Sequence, residues 1–170
     1  MRRRGYSRAR FATIIQCRFF AHKKLIGWRG KVPEEEYTLP LDEAAVKQEG
    51  GDVTVVATQL MYHRAKGAVK EFDGTSVEMI SPRTFAPLDM DTIADSVAKT
   101  GRLVVVDETP LRYETQSHIV SEVTTNNFFS LNAPPQTVGV KDTPIPFSPP
   151  LEDEVLPSTD RIIDAIQATF

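Results

Sequence analysis

His63, in the stretch "VVATQLMYHRAK", is the first side chain whose type and place would do chemistry. It opens a helix-forming stretch directly after an apolar run, which is where open α/β sheets bind ligands. A packed or solvated histidine is the commoner reading of such a residue. A second set comprises Asp107, Glu108, Ser117 and His118, which on paper supply the acid, base and nucleophile of a hydrolase. Ser117 lies in "TQSHI", outside the G-x-S-x-G turn that exposes such a nucleophile, so this set reads as surface. The run Glu34, Glu35 and Glu36 reads as a solvated linker. No G-x-G-x-x-G follows the first apolar strand, and neither G-x-x-x-x-G-K-S/T nor H-E-x-x-H occurs. No pair of Cys or His has metal-ligand spacing. Chemistry motifs are therefore sparse, and the elements that would position them carry more information.

The chain has 170 residues, enough for one domain with an extension. A compact body of roughly 130 to 150 residues buries about two thirds of its extended surface and needs no staples. The single cysteine, Cys17, has no partner for an internal disulfide, and no apolar run reaches the ~20 residues that span a bilayer. The net charge of −3 hides an asymmetry. Residues 1–33 hold ten Lys or Arg and no acid, which leaves ten bases against 23 acids in the rest, a net of −13. The Arg-rich start admits three readings: an organelle transit peptide, a nucleic-acid-binding arm, or sequence foreign to the fold.

Strands and helices alternate from residue 40 onward. Before "GGD", "AAVKQ" reads as a short strand, and Val53 to Thr58 as a buried one, so turn chemistry between β-branched runs predicts an opening hairpin. Next, Leu60, Ala65, Ala68 and Val69 fall near one helical face, with Gly74 as a stop. "SVEMIS" is a second parallel strand. Asp89 or Asp91 is placed to cap "MDTIADSVAKT", whose Ile93, Val97 and Ala98 are expected to face inward, with Gly101 ending the helix. The strand "RLVVVDE" leads to a helix from about Glu114, then to the strand "QTVGV". Pro144, Pro146, Pro149 and Pro150 predict an extended loop. Ser158 or Thr159 would cap a last helix with Ile162, Ile163, Ile166 and Phe170 as its apolar side. Strands that read as continuous apolar runs imply an α/β fold: a mostly parallel sheet, helices on both faces, right-handed crossovers.

Four segments carry a family resemblance: "KVPEEEYTLPLDEAAVKQEGGDVTVVAT", "SPRTFAPLDMDTIADSVAKTGRLVVVDE", "NNFFSLNAPPQTVGVKDTPIPFSPPLEDEVLP" and the closing helix. They resemble the C-terminal domain of the beta subunit of the decarboxylating component of 2-oxo-acid dehydrogenase complexes, the pyruvate and acetoin types above all. The match covers about residues 19 to 170. R-T-x-x-P-L-D followed by D-T-P-x-P-F/Y is specific to this group when both occur in order. The resemblance implies the transketolase C-terminal fold, a five-stranded, mainly parallel sheet with one antiparallel strand. It also implies three stretches: residues 1–18 outside the family pattern, 19–40 as the end of a preceding domain and a linker, and 41–170 as the fold itself. Arg83, Thr84, Pro87, Leu88 and Asp89 resemble the family's signature turn, with a structural job: prolines that pin the loop and an aspartate that caps.

In this family a separate domain of the beta subunit carries the glutamate that activates thiamine diphosphate, and the alpha subunit holds the diphosphate through magnesium. The resemblance places both outside the matched stretch. This chain alone is therefore expected to bind no cofactor and no metal, to contribute no catalytic residue, and to be inactive by itself. Of that preceding domain, "FFAHKKLIGW" resembles the family's F-x-E-H-K-x-L-Y-G, with Ala21 at the glutamate position and Ile26 at the tyrosine.

Relatives carry something like Ala-Ile-Arg-Asp-Asp-Asn-Pro-Val before that phenylalanine. Permissible codons for Ala9 to Phe19, read one base out of frame, spell such a sequence. A shifted-frame origin of residues 1 to about 18 is accordingly one expectation, and a transit peptide is its rival. A nucleic-acid arm ranks last, because the acidic body opposes phosphate approach. The compartment expected is the bacterial cytoplasm, or the mitochondrial matrix if the basic start is a transit peptide.

The partners implied by the resemblance are the alpha subunit, a second beta subunit in an alpha2-beta2 assembly, and the peripheral-subunit-binding domain of the acyltransferase core, with no nucleic acid and no membrane. That core domain is basic, so anionic groups matter where it docks. Phe170, through its carboxylate, and Asn132, where many pyruvate-type relatives have aspartate, are the partner-binding candidates. The rival class is a free-standing binding or oligomerisation module, or a non-functional fragment.

Overall fold

The structure is a computed structural model that describes residues 17–31, 33–72, 74–111 and 115–170. Five strands form one sheet: β1 (Ala45–Gln48), β2 (Val53–Ala57), β3 (Val77–Ser81), β4 (Leu103–Pro110) and β5 (Gln136–Val140), in the order β1-β3-β2-β4-β5. β2, β3, β4 and β5 pair in parallel, and β1 runs antiparallel. The expected class holds, but the opening hairpin does not. β1 pairs with β3, with Ala45 opposite Ser81 and Val46 opposite Ile80, so β3 lies between β1 and β2. The glycine turn crosses the amino end of β3 instead of folding β1 back on β2. Gly51 and Asp52 donate their N–H groups to the Ser76 carbonyl (3.1 and 2.8 Å), and the Asp52 carboxylate accepts the Ser76 N–H at 2.7 Å. A Cβ at Gly50 would stand 2.2 Å from the Val77 carbonyl carbon, so only glycine allows this crossing.

The helices among the described residues are α1 (Lys23–Ile26), α2 (Gln59–Glu71), α3 (Met90–Thr100), α4 (Thr115–Asn126), α5 (Pro149–Val155) and α6 (Thr159–Gln167), with a 3-10 turn at Phe128–Ser130. The start expected for α4 near Glu114 lies outside the described residues. Alternation along each strand divides the core. Val53, Val55, Val77, Met79, Val104, Val106 and Val138 face α2 and α6, meeting Met61, Ala65, Ala68, Ile162 and Ile166. Val56, Ile80, Leu103 and Val105 face α3 and α4, meeting Ile93, Val97, Ile119 and Val123. When the winding reverses direction after β3 the connecting helix changes face, so the three crossovers share one hand, as the chirality rule requires. Each fully buried Val or Ile contributes about 1.5–3 kcal/mol, and the sheet has such residues on both faces.

Three local expectations are corrected. On α3, Ala98 is exposed, while Ser96 and Thr100 turn inward, because Thr54 on β2 presents a buried hydroxyl that bonds both at 2.7 Å. Pro149 and Pro150 start α5, in the first turn, where a missing N–H costs nothing; the extended loop stops at Ser148. Phe170 is 61% exposed and leaves the apolar side of α6 to Ile162 and Ile166.

Candidate functional site

Three groups of polar residues sit on this frame. The signature turn follows β3. Asp89 is the N-cap of α3 and accepts from the Thr92 N–H (3.0 Å), the Thr92 hydroxyl (2.6 Å) and the Ala44 N–H (2.6 Å). Burial pushes its carboxyl up, but these three bonds and the charge of Arg83 outweigh burial and hold it below its ordinary range. Thr84 directs its hydroxyl at the carbonyl oxygens of Leu41 and Pro87, the latter at 2.6 Å. The Ala86–Pro87 peptide is cis, and Leu88 packs against the α3 core. Arg83 is mostly buried and lies 3.6 Å from the Glu43 carboxylate. Through Arg83, Thr84 and Asp89 this turn ties the segment around 41–44 to the start of α3.

Glu78, on β3, was not anticipated. It is buried, paired with Lys99 of α3, and accepts the Gly50 N–H at 3.3 Å. Burial raises its pKa, while Lys99, Ser96 and the Gly50 N–H bring it below the ordinary range. The same bond to Glu78 raises the Lys99 pKa. With Val46, Thr92 and Asp95 this pair lines an open depression of about 270 Å³.

At the carboxyl edge, β2 and β4 are neighbours whose following helices lead in opposite directions, which makes the gap between them the topological switch point. Residues 19–28 cover it. His22 Nδ1 accepts the Lys24 N–H (3.1 Å), so Nε2 carries the proton and donates to Glu108, at 3.1 and 3.0 Å from its two oxygens. Leu25 packs on the α2 core, and Trp28 meets the His63 ring edge-on at 4.5 Å between centroids. Gln59, just past β2, has φ of +43°, a strained value for a side-chain-bearing residue. His63 is thus in contact with the chain's own Trp28, and both side chains remain exposed. The hydrolase set does not assemble: Glu108 is engaged by His22, the Ser117 hydroxyl donates to the Leu111 carbonyl (3.5 Å), and adjacent helical residues Ser117 and His118 point apart. Among the described residues no three His, Cys, Asp or Glu converge on a point. No helix among the described residues is long and apolar enough to cross a membrane.

At the opposite, amino edge, the two partner-binding candidates meet one turn. Gly101 ends α3 with φ of +71°, its carbonyl accepts the Asn132 N–H at 2.7 Å, and the exposed Asn132 side chain lies where a Cβ would be. Arg102, the next residue, donates from Nε to the Thr169 carbonyl (2.8 Å) and from Nη1 to the Asp52 carbonyl (3.4 Å), with its guanidinium 4.4 Å from the Phe170 ring centroid. Sequence reasoning missed Arg102, His22 and Glu78 because each partner is remote in the chain; for Arg102 and Glu78 the one signal was a charged side chain at a strand or strand-start position, where burial demands a partner.

Comparison with known proteins agrees with the fold. The chain is 42% identical over 154 residues to the beta subunit of acetoin:2,6-dichlorophenolindophenol oxidoreductase from Cupriavidus necator, covering 89% of this chain and 46% of that protein. It is also 42% identical over 133 residues to the pyruvate dehydrogenase E1 component subunit beta of Bacillus subtilis, covering 76% and 41%. The chain thus spans about half the length of these relatives. A solved structure titled a split gene transketolase, inactive beta4 tetramer, superposes with a TM-score of 0.67 at 23% identity over 82% of this chain and 45% of the other, a likeness of fold. The family described as the transketolase C-terminal domain matches residues 42–162, from the segment before β1 into α6, and the chain belongs to that family.

Proposed function

We propose that this chain is the C-terminal assembly domain of an acetoin- or pyruvate-type dehydrogenase beta subunit. It contributes to the beta–beta contact of an alpha2-beta2 assembly and to docking on the acyltransferase core, through a surface that includes Asn132 and Phe170. The family match together with 42% identity to two such subunits carries this reading. Thiamine diphosphate and magnesium then belong to the preceding beta domain and the alpha subunit, and residues 41–170 act by binding. The acidic body suits a basic partner.

Calorimetric titration of the chain with an isolated peripheral-subunit-binding domain tests it. The expected result is saturable binding that Phe170→Ala weakens and Asn132→Asp strengthens by about 10-fold or more, since a charge-assisted hydrogen bond contributes roughly 1.5–3 kcal/mol. No heat with that domain and none with the alpha subunit would sink the proposal.

One observation favours a second reading, a self-associating module. Phe128, Phe129, Ile145, Phe147 and Leu151 all expose more than half of their surface. Self-association by light scattering with no heat in either titration would select it.

A further inference from the structure

We propose that Arg102 is the positioning residue of the amino-edge surface, holding the Phe170 ring beside Asn132 in one preorganised recognition face. This rests on the docking reading above.

The backbone of Arg102 is fixed before its side chain acts. Its carbonyl accepts the Thr54 N–H at 2.9 Å and the Thr100 hydroxyl at 3.2 Å, and Gly101 before it takes the left-handed conformation that only glycine adopts without strain. From that anchor the guanidinium reaches two carbonyls on different parts of the chain, Thr169 beyond α6 and Asp52 before β2. Its central carbon lies over the Phe170 ring, 4.4 Å from the centroid. Thr169 is 2% exposed and Phe170 is 61% exposed, so the chain is clamped one residue before a ring held out in solvent.

An exposed phenylalanine without such support samples its rotamers freely and loses that freedom on binding. Preorganisation removes about 0.5–1.5 kcal/mol of ordering per side chain, equivalent to about 2- to 12-fold in affinity. Only arginine combines the planar face with donors at fixed angles; lysine keeps the charge but neither the stack nor the fork. The arrangement also suits a basic partner. The guanidinium donates to two carbonyls and lies against the ring, so less of its charge confronts the incoming surface. Asn132 belongs to the same unit because its N–H and side chain rest on Gly101.

The test uses the full chain, Arg102→Lys and Arg102→Ala. Amide hydrogen exchange is followed at residues 168–170, whose N–H groups bond to Asp164, Ile166 and Gln167. Binding to a peripheral-subunit-binding domain is measured by calorimetry, and thermal unfolding reports the fold. For Arg102→Lys the expected outcome is a folded protein, exchange at 168–170 accelerated about 10-fold, and affinity lowered about 2- to 12-fold with a less favourable entropy. Arg102→Lys added to Phe170→Ala should cost little more, because Arg102 acts through that ring. Unchanged exchange, or faster exchange with unchanged affinity, overturns the role of Arg102 while leaving the docking reading intact. No binding by the parent chain overturns the docking reading and the recognition role with it.

Discussion

Asp89 accepts three hydrogen bonds with one carboxylate, two from Thr92 and one from Ala44. Glu78 accepts from Lys99 and Gly50 at a buried strand position. Burial raises both pKa values and the bonds more than reverse it, so each carboxyl titrates below its ordinary range in the fold. A depressed folded pKa adds stability above the unfolded pKa, and that stability is lost as pH falls through the folded value. Stability should therefore decline from about pH 5 downward. Asp89→Asn and Glu78→Gln should lower stability at neutral pH and flatten the decline; acid unfolding followed by circular dichroism checks this, and variants as steep as the parent would count against it. The Asp89 cap was legible because an aspartate stands directly before a helical pattern that Gly101 ends. Glu78 was not, because its partners at 50 and 99 adjoin it only once β1, β3 and α3 have packed. The bond between His22 and Glu108, 86 residues apart, is further still from anything spacing reveals.

At the scale of elements, the sequence and the fold agree wherever burial decides. Continuous apolar runs at Val53, Val77 and Leu103 became parallel strands covered on both faces, and the helical periods between them became crossovers. They part where one local pattern serves two geometries. A Gly-Gly-Asp turn suits a hairpin and also suits a chain stepping over the end of a strand, and only β3, added later in the chain, decides. Ser96 and Thr100 point inward for a similar reason, since a polar residue on a central strand reverses the usual preference for Ala98. The two turn glycines make a paired test. Gly50→Ala drives a methyl into the Val77 backbone and should cost about 1–3 kcal/mol or more, whereas Gly51→Ala meets nothing within 4 Å and should stay within about 0.5 kcal/mol. Urea unfolding that found the two equal would contradict the crossing geometry.

The molecule as a whole has a closed core and an open aromatic exterior. Phe129 and Phe147 are fully exposed, with Phe128 and Ile145 more than half exposed. Apolar surface of this kind favours association, and multi-angle light scattering at tens of micromolar (roughly the working range for weak contacts) should give a dimer or larger species. Phe129→Ser with Phe147→Ser should weaken it about 30-fold, as expected for losing a central aromatic anchor worth about 2 kcal/mol. A parent chain that runs as a clean monomer would remove the self-association reading. The segment over the switch point bears on how any small molecule would compete there. Because His22, Leu25 and Trp28 are tethered to the sheet they cover, they stay near it at an effective concentration on the order of millimolar. A free ligand competing for those contacts is weakened by the factor by which the segment prefers its docked position, so screening the intact chain under-reports binders there, while His22→Ala loosens the competitor and brings weaker ones into view.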